Sequence, residues 1–525
     1  MAKHCNRQDY ISETVAQILR WKGSPWIASI SVVSLYSFYL FGTHHQLLVS
    51  DFFGYVWMAL EEREGGLGSS TNSVIPAGYP ILLNLLHGLG LDYMTAGRVL
   101  TLIAAVPLLA FVWLGASLWG KLPWAGLVAW LLTATSYQTI LSLATPLPDI
   151  IALSMALPLI TLVFKPDCSP RELFLAACFA GLACGVRYYF IQSVVPLAVL
   201  LLLFSHPAPW RKRIREGIMI LAGLVVGLLP EIIFAFRAGH IPFQNTSKYY
   251  LTLLARETNF SMTGTQLRNM PSTFEYILSH FTEILHAWAP AYFSSVAIFV
   301  IVPAIICWVS ENIAARIIQE NGTPVIRRGL VALLVFEAIL LIPISLRQPL
   351  PYYVVLMLLC LSLMAVAIPI VRLAATNRMV LSFLIICLSA VSIFQVRSAV
   401  LRLQQFDHFF LARNSVIAGE LYGLGIRDSA EVLNLAAPFQ LYWPYGDKSP
   451  LLYYTDKEPG WLSLTNTLGQ KRPFIYQVTR DTLTKFRIVL TKPLSPELKN
   501  ELLPGFRLVK QIGGVQIYQS AAGTH

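Results

Sequence analysis

The chain has 525 residues, of which 55% are hydrophobic and only 13% charged, and its formal net charge is +11. Soluble domains carry about 25% charged residues, so this composition excludes an ordinary soluble protein and predicts a polytopic α-helical membrane protein. The excess of Lys and Arg then indicates cytoplasmic loops, and we expect no nucleic-acid partner.

Long apolar segments recur through most of the chain and predict about eleven membrane-spanning helices. A further segment, 74–91, is short and contains Gly and Pro, so we expect a helix that lies at the outer membrane surface or dips into it. The predicted spans are 27–46, 99–118, 122–144, 149–164, 173–186, 190–205, 217–236, 289–309, 329–346, 352–371 and 379–397.

The basic residues predict the orientation of these spans. With the N-terminus in the cytoplasm, most Lys and Arg fall in inner connections, including the run WRKRIRE at 210–216. The short outer connections then hold only Arg187 and Arg347. This asymmetry follows the positive-inside rule and predicts a multi-pass membrane protein with a cytoplasmic N-terminus.

Two domains follow from this arrangement. Residues 1–397 are predicted to form the membrane domain, with outer loops at about 47–97 and 237–288. Residues 398–525 are predicted to form a small α/β domain on the outer face of the membrane. Within it, Gly513-Gly514 separates two alternating segments, which is typical of a β-hairpin. The segments that resemble strands are EVLNLA (431–436), RPFIYQV (472–478) and FRLVKQIGGVQIYQ (506–519).

Few ionisable residues lie near the outer edge of the predicted membrane domain. Charged groups at membrane depth are costly and usually face a cavity or one another, so these residues are candidates for a functional site. They are Asp51 after the first span, Arg98 at the start of the second, Asp149 in TPLPDII, Arg187 in GVRYYF and Arg347 in LRQPLPYY.

Each candidate also has a purely structural interpretation. Ser50 and Asp51 suit a helix start, where a Ser cap and an acidic first turn are favourable. The segment 61–64 (EERE) would then be a solvated face. The apolar residues that would lay such a helix on the membrane are Phe52, Phe53, Val56, Trp57 and Leu60.

The other candidates have equally simple explanations. Asp149 follows Pro148, so it suits the first turn of a helix, where the helix dipole favours an acidic residue. Arg187 and Arg347 suit anchors whose charged ends reach the membrane interface. Spacing alone leaves these alternatives open.

The sequence does not indicate a metal or nucleotide site. The first loop has no Asp-x-Asp, and His280 and His286 are not spaced as ligands on one helical face. No G-x-S-x-G and no phosphate-binding Gly-rich loop occurs. We therefore expect no cofactor, no metal and no nucleotide-sugar donor.

The order of several weak motifs resembles a known family. An acidic residue follows the first span, P-x-G-Y-P occurs at Pro76–Pro80, and a basic residue opens GRVLTLIAAVPLLAFVWLGASLWG. P-D-I-I-A-L (Pro148–Leu153), G-V-R (Gly185–Arg187) and a late Pro-Tyr-Tyr follow. This arrangement resembles the GT-C membrane glycosyltransferases, in particular the bacterial protein O-mannosyltransferase and lipid A aminoarabinose transferase group.

The resemblance implies an enzyme that takes a hexosyl or pentosyl group from a polyprenyl-phosphate carrier and passes it to a lipid, glycan or protein acceptor on the periplasmic side. It implies that Asp51 is the catalytic residue. Many members have a second acidic residue beside it, whereas this chain has Phe52. Asp149 matches an acidic residue of a later span, and Arg187 is a candidate for the carrier phosphate.

The chemistry of the residues agrees with this assignment. A base must take the proton of the acceptor hydroxyl, and cationic groups must stabilise the leaving phosphate. Asp51 suits the first role. The second role suits arginine, and the candidates are Arg187, Arg347 and Arg98. We expect the substrate to contact Asp149, Tyr55 and Tyr352, and loop 237–288 to order over bound donor.

Three alternatives remain open. A transporter or flippase of lipid-linked or small substrates is one, although two matching halves with broken helices are not evident. An O-antigen polymerase or ligase is the second, and we associate those with basic residues in a large outer loop. A catalytically silent relative is the third.

Overall fold

Apolar α-helices make up most of the computed structural model. It describes residues 21, 23–42, 50–66, 76–91, 93–163, 165, 168–188, 190, 209–238, 281–318, 333–342, 352–374, 378–406, 412–426, 432–434, 453–454, 487–491, 496, 499–500, 503–512 and 515–521.

The helices are α1 (Ser24–Gly42), α2 (Ser50–Gly65), α3 (Gly78–Gly88), α4 (Tyr93–Gly120), α5 (Pro123–Ala134), α6 (Tyr137–Ala144), α7 (Asp149–Val163), α8 (Pro170–Val186), α9 (Trp210–Arg237), α10 (Phe281–Val296), α11 (Val302–Ile318), α12 (Leu333–Ile342), α13 (Tyr352–Ala374), α14 (Arg378–Phe406) and α15 (Ala412–Gly423). A π-helical segment, Ala297–Ile301, joins α10 to α11.

Six helical segments among the described residues are long and apolar enough to cross a membrane, or seven if the bent pair α5–α6 counts as one span. They lie in α1, α4, α9, α10–α11, α13 and α14, and α7 and α12 are shorter apolar helices. The predicted spans coincide with helices wherever the structure describes them, and 191–205, nearly all of the predicted span 190–205, lies outside the described residues. The chain is therefore a multi-pass membrane protein, and the count of about eleven spans stays a prediction.

The predicted span 122–144 differs from a straight helix, because α5 and α6 meet at an angle of 56°. Ser136 has an extended backbone between them, and its hydroxyl accepts a hydrogen bond from the Thr139 backbone N–H, so it caps α6. A capping side chain starts a new helix, and this explains the break within an otherwise apolar segment.

Helix α7 is almost completely buried between α4 and α8, and α8 in turn packs along α9. Glycines bring α8 and α9 close together. A Cβ atom at Gly227 would lie 2.1 Å from the Cys178 carbonyl oxygen, and one at Gly181 would lie 2.5 Å from that of Leu224. Small residues of this kind allow close backbone packing of membrane helices.

The C-terminal region contains a five-stranded sheet in the order β2-β1-β3-β5-β4, with α15 beside it. The strands are β1 (Val432–Asn434), β2 (Tyr453–Tyr454), β3 (Ile488–Thr491), β4 (Phe506–Ile512) and β5 (Val515–Ser520). Strand β1 is parallel to β2 and β3, whereas β5 is antiparallel to β3 and β4.

The predicted hairpin around Gly513-Gly514 is confirmed, because Ile512 pairs with Val515 across β4 and β5. EVLNLA contains β1, also as predicted, and RPFIYQV lies outside the described residues. Helix α14 continues to Phe406, beyond the predicted boundary at 398, and the division into two domains stays a prediction.

We expect Gly227→Ala to destabilise the protein by about 1–3 kcal/mol, because its methyl group would overlap the Cys178 carbonyl oxygen. Gly217→Ala on the same helix is the matched control, since nothing lies within 4 Å of its added Cβ. Thermal unfolding in detergent compares the two variants. Equal unfolding temperatures would contradict the close contact of α8 and α9.

Candidate active site

The first loop and the ends of α7 and α8 meet in one place. Arg187 follows α8, with its backbone N–H bonded to the Ala183 carbonyl at 2.8 Å. Its Nε lies 3.2 Å from Oδ1 of Asp149, the first residue of α7. The side chains are 16% and 6% exposed, so this is a mostly buried ion pair. Two predicted site residues that are distant in sequence are thus in direct contact.

Helix α2 supplies a second contact to the arginine. Tyr55 is completely buried, and its hydroxyl oxygen accepts a hydrogen bond from Nη1 of Arg187. The guanidinium therefore joins the first loop to the end of α8. Tyr55, Asp149 and Arg187 are all predicted site residues, and the structure brings the three together.

Tyr79, from the P-x-G-Y-P motif, completes this cluster. It lies at the start of α3, is fully buried, and its hydroxyl donates to the Pro146 carbonyl at 2.7 Å. Its ring meets the Tyr55 ring edge-on, with centroids 5.1 Å apart. Burial raises the pKa of Tyr79 well above its usual value, and the negative charge of Asp149 adds to this effect. Tyr79 therefore remains a protonated hydrogen-bond donor at neutral pH.

The buried face of α2 corrects one interpretation of the sequence. In the structural interpretation of the sequence, Phe52 and Val56 contact the membrane surface. In the structure both are at most 3% exposed and pack within the protein core. Glu62, expected on a solvated face, is also buried. The reason is that α3 packs directly on α2, where Asn84 donates to the Ala59 carbonyl at 2.7 Å.

Arg98 lies in the first part of α4, beside Gly97, which approaches Tyr79 and Phe52 closely. The guanidinium carbon of Arg98 lies 5.6 Å from the centroid of the Phe41 ring, a cation–π geometry with the end of α1. A role for Arg98 in phosphate binding stays a prediction.

The remaining predicted site residues lie partly or wholly outside the described part of the chain. These are Arg347, the side chains of Asp51 and Tyr352, and residues 239–280 of the second outer loop. The backbone of Asp51 is in the first turn of α2. It is one helical turn before Tyr55, so the two positions share a helix face, about 6 Å apart along the axis.

Sequence reasoning missed a second polar cluster, centred on Glu231 of α9. This carboxylate is 4% exposed and accepts hydrogen bonds from the Tyr188 hydroxyl and from the Ala77 backbone N–H, the latter at 3.1 Å. The available signal was a lone acidic residue in the apolar segment LLPEIIF. Among the described residues, no group of three His, Cys, Asp or Glu side chains is arranged to hold a metal ion.

These features define a multi-pass membrane protein with a partly buried charged cluster where its first loop meets the transmembrane helices. The fold is similar to that of ArnT from Cupriavidus metallidurans. With the structure of ArnT bound to undecaprenyl phosphate, the TM-score is 0.55 at 12% identity, over 98% of this chain and 99% of that one. The apo structure gives 0.54 at 13% identity, over 97% and 98%.

The predicted resemblance to GT-C enzymes is therefore confirmed at the level of the fold. Arabinofuranosyltransferase AftD from Mycobacteria also matches, with a TM-score of 0.45 and 16% identity, over 95% of this chain and 41% of that one. No protein-family model and no curated protein sequence matches the chain.

Replacing one partner of the Asp149–Arg187 ion pair should destabilise the protein more than replacing both. We expect Asp149→Asn or Arg187→Gln alone to destabilise the protein by about 3 kcal/mol, because each leaves a buried charge unpaired. The double variant should lose less stability than either single variant, as measured by thermal unfolding in detergent. Lys165→Gln, from a half-exposed ion pair with Glu172, should destabilise the protein much less, because solvent screens that pair. Strict additivity of the two single losses would argue against the pairing.

Proposed function

We propose that the chain is a membrane glycosyltransferase that moves a sugar from a polyprenyl-phosphate carrier to a hydroxyl group of a lipid, glycan or protein. One observation carries this proposal. Arg187 is held by Asp149 and by Tyr55, which lies one helical turn after Asp51 on α2, in a chain whose fold matches that of ArnT over 98% of its length.

The proposed donor follows from the cation and the fold. A guanidinium binds phosphate oxygens well, and Arg187 keeps 16% of its side chain exposed, so a phosphate group can reach it. The matching ArnT structure contains undecaprenyl phosphate, a lipid of the proposed class. The polyprenyl chain would lie among the transmembrane helices, and the acceptor would approach from the first loop.

The proposed reaction uses two groups of the chain. The acceptor oxygen forms a bond to the anomeric carbon of the sugar, while the bond from that carbon to the phosphate oxygen breaks. Asp51 takes the proton of the acceptor hydroxyl, as a general base. Arg187 stabilises the negative charge that the polyprenyl phosphate acquires as it leaves. Because a resident cation fills this role, we propose that the transfer requires no metal ion.

We further propose that this site faces the periplasm of the cell inner membrane. The support is the distribution of basic residues, which favours a cytoplasmic N-terminus and places the first loop outside. The run Trp210–Glu216, at the start of α9, would then lie at the inner leaflet. The C-terminal sheet would be periplasmic.

We expect Asp51→Asn to lower sugar transfer at least about 100-fold, because the amide cannot accept the acceptor proton. The measurement is transfer of labelled sugar from polyprenyl-phosphate donors by purified protein, in buffer with EDTA. Glu64→Gln, near the other end of α2, is the control and should transfer at the wild-type rate. Wild-type transfer by Asp51→Asn would overturn the assignment of the base, and loss of wild-type transfer in EDTA would overturn the metal-free reaction.

Arg187 should contribute directly to binding of the lipid phosphate. We expect Arg187→Lys, which keeps the charge but loses the planar fork, to bind undecaprenyl phosphate more weakly by about tenfold. Arg171→Gln, at the exposed opposite end of α8, is the matched control and should bind as the wild type does. Titration in detergent measures both, and equal affinities for the two variants would contradict the phosphate site.

A further inference from the structure

Glu231 is an acidic residue within a helix long and apolar enough to cross a membrane, and it is only 4% exposed. A carboxylate in such a place is costly unless each oxygen has a hydrogen-bond donor. Both oxygens have one, because Oε1 accepts from the Tyr188 hydroxyl and Oε2 from the Ala77 backbone N–H at 3.1 Å. Glu231 therefore joins three segments that are far apart in the sequence.

The two donors belong to two of the segments that build the candidate active site. Ala77 is the N-cap of α3 and has no side-chain cap of its own, so the carboxylate lies at the positive end of that helix. Tyr188 directly follows Arg187. Burial raises the pKa of the Tyr188 hydroxyl, and the Glu231 charge raises it further, so this hydroxyl stays protonated and keeps donating.

Two glycines allow these segments to approach. A Cβ atom at Gly78 would lie 2.6 Å from the Gly185 carbonyl oxygen, and one at Gly185 would lie 3.3 Å from Cβ of Glu231. The start of α3, the end of α8 and the side chain of Glu231 are thus in close contact. Little space remains for the end of α8 to shift without breaking this contact.

The backbone at Arg187 links the two clusters. Its φ of −149° and ψ of 107° are extended, and Tyr188 begins a turn in which the Phe190 N–H donates to the Arg187 carbonyl at 3.1 Å. The Arg187 side chain contacts Asp149 and Tyr55, whereas the Tyr188 side chain contacts Glu231. Because the two residues are adjacent, an anchor on the Tyr188 side chain restricts the positions that the Arg187 guanidinium can reach.

We propose that Glu231 is a positioning residue, which holds Arg187 in its phosphate-binding orientation through Tyr188 and fixes the first loop against it through Ala77. This inference rests on the proposed function, because it takes the Arg187 guanidinium as the phosphate ligand. Glu231 itself touches neither donor nor acceptor. Its effect is on the affinity for the donor phosphate.

Tyr188→Phe removes only the hydroxyl that links Glu231 to the residue after Arg187, and leaves the Ala77 hydrogen bond in place. We expect the dissociation constant for undecaprenyl phosphate, titrated into purified protein in detergent, to rise about tenfold. Glu231→Gln keeps one oxygen that accepts a hydrogen bond and replaces the other oxygen with an NH2 donor. It should therefore retain a higher affinity for undecaprenyl phosphate than Glu231→Ala, which has neither group.

Tyr36→Phe is the matched control. The Tyr36 hydroxyl donates to the Ala134 carbonyl at 2.7 Å, so the variant also loses one tyrosine hydrogen bond, but in α1. It should lower the thermal unfolding temperature to a similar extent and leave the affinity for undecaprenyl phosphate within about twofold of wild type. This comparison separates a structural effect from positioning.

The paired variant Asp149→Asn/Arg187→Gln, which leaves neither charge alone, provides a background without the guanidinium. Tyr188→Phe should cause little further loss of affinity there, since its effect passes through Arg187. Two results would overturn the positioning role alone. One is a full tenfold loss of affinity for undecaprenyl phosphate when Tyr188→Phe is added to that background. The other is wild-type affinity of the Tyr188→Phe single variant. Equal affinities of the wild type and the paired variant would instead overturn the phosphate site and the proposed function with it.

Discussion

The ion pair between Arg187 and Asp149 determines how the first loop meets the transmembrane helices. A guanidinium that is 16% exposed among apolar helices needs a counter-charge and hydrogen-bond acceptors, or it is strongly destabilising. Asp149 supplies the charge and Tyr55 supplies a neutral acceptor. Because these partners come from α7 and α2, satisfying one charge fixes three elements relative to one another.

Helix packing places the pair where it is. Helix α7 is buried along nearly its whole length, so its N-terminal residue Asp149 has little freedom to move. The glycines at Gly181 and Gly227 set α8 directly against α9, which brings the end of α8 next to Glu231. Close packing of membrane helices depends on small side chains, and so the position of Arg187 depends on residues such as Gly181, which is more than one helical turn away.

The sequence was sufficient for the general architecture and for part of the site. Apolar segments located the helices, and the cost of charge at membrane depth singled out Asp149 and Arg187, which are in contact. Tyr79 and Glu231 were not selected, because their importance arises from contacts across long sequence separations. The Ala77–Glu231 hydrogen bond, for example, spans 154 residues. Helical periodicity describes one helix and carries no information about such a partner.

The same periodicity misplaced one surface for the same reason. A stripe that includes Phe52 and Val56 is apolar whether it faces lipid or another helix, and only the packing of α3 on α2 distinguishes the two. A lipid tail and a leucine side chain are equally apolar, so hydrophobicity does not separate membrane contact from protein contact. Polar partners distinguish the two kinds of contact. Tyr55 shares the buried face of α2 with Phe52 and Val56, and its hydroxyl accepts a hydrogen bond from Arg187, so this face contacts protein. In a chain of this composition, buried hydrogen-bonding groups are therefore better guides to internal surfaces than apolar residues are.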